Sequence, residues 1–166
     1  MLMTPPKRKA LFPGSFDPFT IGHEAIVKRA LKMFDEIVIA VGANESKRGG
    51  FFSLNDRLAM ISDAFSDEPR VTVESYQGLT VDFCKKSGAG FLLRGLRTAA
   101  DFEYERAIAQ VNKAMAQDIE SVFLLTAPQH TPINSTIVKD ILRHGGDVSK
   151  FIPSRIDLSK YSGIGR

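Results

Sequence analysis

Three observations predict an α/β fold with a five-stranded parallel sheet for this 166-residue chain. Short apolar or β-branched runs alternate with amphipathic stretches along its whole length. One of those runs, Ile37-Val38-Ile39-Ala40-Val41, is apolar throughout, the pattern of a strand buried on both faces. No repeat, low-complexity stretch or linker interrupts the alternation, so one sheet covered by helices on both faces accounts for all of it.

The elements follow in order. Ala10-Leu11-Phe12 reads as a first strand ended by Pro13-Gly14. From His23 to Phe34, apolar residues at Ile26, Val27, Ala30, Leu31 and Phe34 have helical spacing. Strand two is the 37–41 run. Ser53 with Asp56 three residues later resembles a capping box and opens a helix to Phe65. Val71 to Glu74 is strand three, Thr80 to Lys86 a short helix, and Phe91-Leu92-Leu93 strand four. Asp101 to Met115 is a long helix, Val122 to Leu125 strand five, and Ser135 to His144 a helix closed by Gly145-Gly146. The remainder, through Phe151 and Ile156, reads as a final helix before a fraying end at 160–166. The whole of 1–166 is expected to be one Rossmann-like domain, with residues 1–8 as a basic tail.

Composition narrows the function classes. The apolar share of 43% and charged share of 25% are those of a globular protein. There is no apolar run of ~18 residues to span a bilayer and no signal-peptide core after the basic start, so a soluble, cytoplasmic, non-membrane protein is expected. Cys84 is the sole cysteine, which fits a reducing compartment and a small buried side chain rather than a catalytic thiol. The net charge of +3 comes from Lys7, Arg8 and Lys9, and the rest of the chain is neutral. A nucleic-acid binder usually carries a basic face on its folded body; here small anions gripped by a few placed cations are the expected partners, and nucleic acid is not.

In open parallel sheets ligands bind beyond the carboxyl ends of the strands, where strand order reverses. The residues after each strand are therefore the candidates. After strand one, Gly14 allows close backbone approach, Ser15 supplies a hydroxyl, and Gly22-His23 opens a helix whose N-terminus favours a phosphate. Asp17-Pro18 reads as a structural turn. His23 alone would be an ordinary exposed histidine; the whole decapeptide at a strand-to-helix junction makes it functional. The stretch is neither a Walker loop nor a dinucleotide fingerprint, and His23-Glu24 lacks the second histidine of the zinc motif. Lys47, after strand two, is by itself a solvated loop lysine. Arg94 and Arg97, after strand four, either bind an anion or form surface pairs with Asp101, Glu103 or Glu105, and spacing does not choose. Ile133-Asn134-Ser135-Thr136 offers a second helix N-terminus with hydroxyl donors, or an ordinary cap.

Taken together, these segments resemble the phosphopantetheine adenylyltransferase family of the nucleotidyltransferase superfamily. The family's G-[TS]-F-D-P-x-T-x-G-H appears as Gly14 to His23, and R-G-L-R-x-x-x-D-F-E-Y-E as Arg94 to Arg97 with Asp101 to Glu105. E-S-V-F-L matches Glu120 to Leu124, [ST]-x-[LIV]-V-K matches Ser135 to Lys139, and Gly146-Asp147-Val148 matches a C-terminal G-D-[VI]. The resemblance implies transfer of AMP from ATP to the 4′-phosphate of phosphopantetheine, with Mg²⁺, giving dephospho-coenzyme A and pyrophosphate. It implies ATP contacts from Ser15, Phe16, His23, Gly95, Leu96, Arg97, Glu105, His130, Thr131, Pro132, Ile133, Asn134, Ser135 and Thr136. It implies phosphopantetheine contacts from Ser15, Lys47, Thr80 and Arg94, and catalytic roles for His23 as transition-state stabiliser with Ser15, Lys47 and Arg97. A homohexamer and feedback inhibition by coenzyme A are implied as well, and no dedicated protein metal ligand. The chain departs from the family at Asn134, where a serine is usual, and at Gly49-Gly50, which predicts a more flexible loop after Lys47.

Two other readings share these residues. One is another superfamily member with a different phosphorylated acceptor; the other is a non-catalytic nucleotide or coenzyme A sensor. The R-G-L-R segment argues against the first, and intact Ser15, His23, Arg94 and Arg97 against the second.

Overall fold

The computed structural model describes residues 6–43 and 50–161. Five strands, β1 (Lys9–Gly14), β2 (Glu36–Gly42), β3 (Val71–Tyr76), β4 (Phe91–Leu96) and β5 (Glu120–Leu125), form one parallel sheet in the order β3-β2-β1-β4-β5. The helices between them are α1 (Ile21–Ala30), α2 (Leu54–Ala64), α3 (Thr80–Lys86), α4 (Ala99–Met115) and, after β5, α5 (Ser135–Arg143). The fold is the expected α/β class.

Side-chain alternation on the strands sorts the core into two layers. Ala10, Phe12, Ile37, Ile39, Val41 and Leu93 face α1, α2 and α5, packing on Ile26, Val27, Met60, Ile61 and Val138. Leu11, Val38, Ala40 and Leu92 face the other way, onto Val81 and Cys84 of α3 and onto Ala116 and Ile119. All five apolar residues of β2 are fully buried, each such Val or Ile worth about 1.5–3 kcal/mol. Cys84 is buried among them, as expected of a small apolar side chain.

Three sequence expectations shift. Helix α1 begins two residues early because Thr20 caps it, and it ends at Ala30, the chain continuing as turns toward Phe34. Strands β1 and β4 run further than expected, so Gly14, Arg94, Gly95 and Leu96 lie within strand ends rather than after them. The final helix does not form. Pro153 lacks the N–H that a helix interior needs, and Val148, Ile152 and Ile156 instead plug the core from an irregular strap. That strap ends in a 3-10 turn, Leu158–Lys160, and the Tyr161 hydroxyl donates to Asp63. At the other end Lys7 and Arg8 pair with Glu36 and Asp35.

The register positions the site. β1 pairs with β2 along all of Lys9 to Gly14, but with β4 only at Ala10 and Leu11. Beyond Leu11 and Leu92 the two strands part, at the place where strand order reverses. Pro13 has no N–H to give a ladder there, and its carbonyl accepts from the Arg94 guanidinium at 2.7 Å instead.

Candidate active site

Two clefts open at this strand reversal. The first, of about 360 Å³, runs between the ends of β1 and β4 and the N-termini of α1 and α5. The second, of about 410 Å³, lies on the α3–α4 side of the sheet. Pro13, Gly14, Ser15, Arg94 and Glu105 line both, so the clefts meet at one seam.

The first cleft gathers Ser15, Phe16, His23, Arg94, Gly95, Arg97, Glu105, Ile133, Asn134, Ser135 and Thr136 from four distant segments. Thr80 lines the second. Leu96 is buried and lines neither, while His130, Thr131 and Pro132 lie in and just after a 3-10 turn beside the first cleft without lining it. Lys47 falls outside the described residues.

His23 is built into the start of α1. Thr20 Oγ1 accepts from the His23 N–H, and His23 Nδ1 accepts from the Thr20 N–H at 3.0 Å. This is a capping box with histidine in the place usually held by Glu or Gln. Because Nδ1 accepts from a backbone donor, the neutral ring carries its proton on Nε2. Phe16 and Phe19 pack on the ring at 5.1 and 5.3 Å between centroids. This desolvation, with the positive charges of Arg97 and Arg94 behind it, pushes the His23 pKa down to about 4 from its ordinary 6.5. At neutral pH the side chain is thus a neutral hydrogen-bond donor, not a cation. A ¹H–¹⁵N titration of the histidine rings should show a signal with a midpoint near 4 that vanishes in His23→Gln. A His23 midpoint above 6 contradicts this environment. The same shift makes His23 favour the folded state fully above pH 6.5, a contribution that fades as pH falls toward 4.

The loop leading to His23 is pinned at several points. Phe16 has φ of 48°, a left-handed conformation costly for a bulky residue, and its ring packs on Phe12 and Phe19. A Cβ at Gly14 would come within 2.8 Å of that ring, so the glycine makes room for Phe16. Asp17 proves more than a turn-maker. Its buried carboxylate accepts from Phe51 N–H at 2.7 Å and Phe52 N–H at 2.9 Å, with Lys139 Nζ at 3.8 Å. Gly50 follows from this, since a Cβ there would stand 2.7 Å from Asp17 Oδ2.

At the seam both arginines have partners within the protein, and both keep part of the side chain open to the cleft. Arg94 Nε and Nη2 donate to the two oxygens of Glu105 at 2.9 and 2.5 Å. Glu105 is 8% exposed and is the buried residue of α4. The Arg94 fork is thereby fixed in direction while one-third of its side chain stays open. Arg97 is more exposed, its Nε 3.3 Å from Asp101. At α5, Asn134 caps the helix by accepting from Ile137 N–H, and the Ser135 hydroxyl donates to the Pro18 carbonyl.

Sequence reasoning missed several lining residues. Ile108, Ala109 and Asn112 line the second cleft from the same face of α4 as Glu105, a face that helical spacing from Glu105 could have found. Tyr76, whose hydroxyl lies 2.9 Å from Thr80 Oγ1, and Leu79 carried no comparable signal.

A family model described as cytidylyltransferase-like matches residues 11–141. The phosphopantetheine adenylyltransferase of Flavobacterium psychrophilum is 54% identical over 90% of this chain and 97% of its own length. The chain belongs to the phosphopantetheine adenylyltransferase family. Other family members with similar coverage include those of Flavobacterium johnsoniae, 53% identical over 92% of this chain and 99% of that one, and Bacteroides fragilis, 47% identical over 91% and 99%. Like the rest of the family, this chain is a nucleotidyltransferase. A solved bifunctional NMN adenylyltransferase/ADP ribose pyrophosphatase from Francisella tularensis shares the fold, with a TM-score of 0.68 at 18% identity. The match covers 95% of this chain and 47% of that protein, so the chain spans about half its length.

Proposed function

We propose that this enzyme transfers AMP from ATP to the 4′-phosphate of phosphopantetheine, giving dephospho-coenzyme A and pyrophosphate. The observation that carries the proposal is the pair of clefts meeting at Ser15, Arg94 and Glu105. A direct transfer needs two phosphorylated substrates approaching from opposite sides of one point. ATP belongs in the first cleft, where His23, Arg97 and the Asn134–Thr136 helix start supply donors. Phosphopantetheine belongs in the second, whose mixed lining of Leu79, Ile108 and Met115 with Tyr76, Thr80 and Asn112 suits an amide-bearing aliphatic arm.

The mechanism follows from charge. The 4′-phosphate is ionised at neutral pH, so its oxygen attacks the α-phosphorus without a general base. A bond forms from that oxygen to the α-phosphorus as the bond to the β-bridging oxygen breaks, and pyrophosphate leaves with both electrons. What the chain supplies is alignment and donors for the charge growing on the α-phosphoryl oxygens. Arg94, aimed by Glu105, steadies the acceptor phosphate. Neutral His23 gives its Nε2–H to an α-oxygen. Magnesium, entering with ATP, would offset charge on the triphosphate. Such an ion is usually held through substrate phosphates, one or two carboxylates and water.

The same proposal includes one nucleotidyltransferase domain over 1–166, a cytoplasmic location, a homohexamer and inhibition by coenzyme A. No helix among the described residues is long and apolar enough to cross a membrane. Self-association is supported by α4, which leaves Phe102 and Val111 exposed on the isolated chain outside the lining of either cleft. Sedimentation velocity should find a species near six times 18.3 kDa; a monomer rejects the assembly. Pyrophosphate release with a panel of phosphorylated acceptors tests the reaction. Phosphopantetheine should exceed every other acceptor, and added coenzyme A should slow the rate. Preference for another acceptor, or no release at all, overturns the reading.

A further inference from the structure

Helix α2 turns residues 57, 60, 61 and 64 toward the interior, and three of them are Met60, Ile61 and Ala64. The fourth is Arg57, 3% exposed. A guanidinium at such a position is held away from water, a cost sustained only where hydrogen bonds offset it. Arg57 Nη1 donates to the Ser15 carbonyl at 2.7 Å, across 42 residues of sequence.

That contact has a directional consequence. In a trans peptide the C=O and the following N–H point to opposite sides. A Ser15 carbonyl turned toward α2 therefore turns the Phe16 N–H away from α2, and both Ser15 and Phe16 line the first cleft. The residue so placed is the one with φ of 48°. A backbone outlier of this kind persists where its surroundings over-determine it. Ring packing holds the Phe16 side chain, and Arg57 holds the peptide before it.

We infer that Arg57 is a positioning residue for nucleotide binding: through the Ser15 carbonyl it sets the Ser15–Phe16 peptide so that the Phe16 N–H faces the ATP phosphates. The inference rests on the assignment of ATP to the first cleft. Its test is separate from turnover: titration of the unreactive analogue α,β-methylene-ATP, and of phosphopantetheine, into the full chain. Arg57→Met should weaken the analogue ~10–100-fold, as expected for losing a charge-assisted contact that aims a phosphate donor. Phosphopantetheine affinity should fall much less, because Ser15 is the one residue of the second cleft's lining that this Arg57 contact reaches. Arg57→Lys, which can still donate to the carbonyl, should recover part of the analogue affinity. Should Arg57→Met fail to fold, Arg57→Lys at wild-type Tm still decides, with a milder loss that falls mainly on the analogue. Equal binding of both ligands by the folded variants, or equal loss of both, overturns the positioning role. A wild-type chain that binds the analogue but releases no pyrophosphate counts against the reaction, not against Arg57.

Discussion

His23→Ala should lower kcat by about 10²–10³ while changing the KM for ATP by much less, the pattern of losing one preorganised donor to developing charge. The geometry makes the loss specific. Nδ1 is committed to the Thr20 N–H, so Nε2–H is the donor left for substrate. His23→Gln, whose side-chain oxygen can replace Nδ1 in the capping box, should keep α1 intact. Lost rate with unchanged helix content and Tm in that variant separates catalysis from folding. Near-wild-type turnover in either variant removes His23 from the mechanism.

Arg94→Met should be comparably severe and should act in two ways. Loss of a fixed guanidinium at the acceptor phosphate is expected to cut kcat/KM for phosphopantetheine ~10²–10³-fold. It also leaves the Glu105 carboxylate, 8% exposed, without its cation. Breaking a fully buried pair costs about 3–5 kcal/mol; with the Arg94 side chain 33% open to solvent, about 1–3 kcal/mol is the fitting range. At ~2–4 °C per kcal/mol for a chain this size, Tm should fall by several degrees. Adding Glu105→Gln removes the stranded charge, so the double variant should regain Tm without regaining activity. Recovery of both, or loss of neither, contradicts the role given to the pair.

How much of this was readable beforehand depends on the range of the interaction. The five strands, the helix-start location of His23 and the cation pair at 94 and 97 come from local patterns: an apolar run, a Gly-bearing turn, a strand followed by helix spacing. The partners that fix them do not. Glu105 is a mid-helix acid like its neighbour Glu103, and only the closeness of α4 to β4 makes one buried and the other exposed. Asp17 reads as a turn residue, and Arg57 carries no signal of its own, until α2 and the 50–52 segment fold against the loop. The missing last helix shows the converse error. Val148, Ile152 and Ile156 have helical spacing, yet the same spacing serves an irregular strap when Pro153 intervenes.

The account depends on the seam between the two clefts being where the reactants meet, and a crystal structure with α,β-methylene-ATP and phosphopantetheine bound together tests it most directly. The account predicts the analogue in the first cleft, with His23 Nε2 in hydrogen-bond reach of an α-phosphoryl oxygen. It predicts the pantetheine arm in the second cleft and its 4′-phosphate on Arg94, one oxygen about 3–3.5 Å from the α-phosphorus and in line with the departing bond. Both ligands in one cleft, or phosphates separated by the Arg94–Glu105 pair, would contradict it.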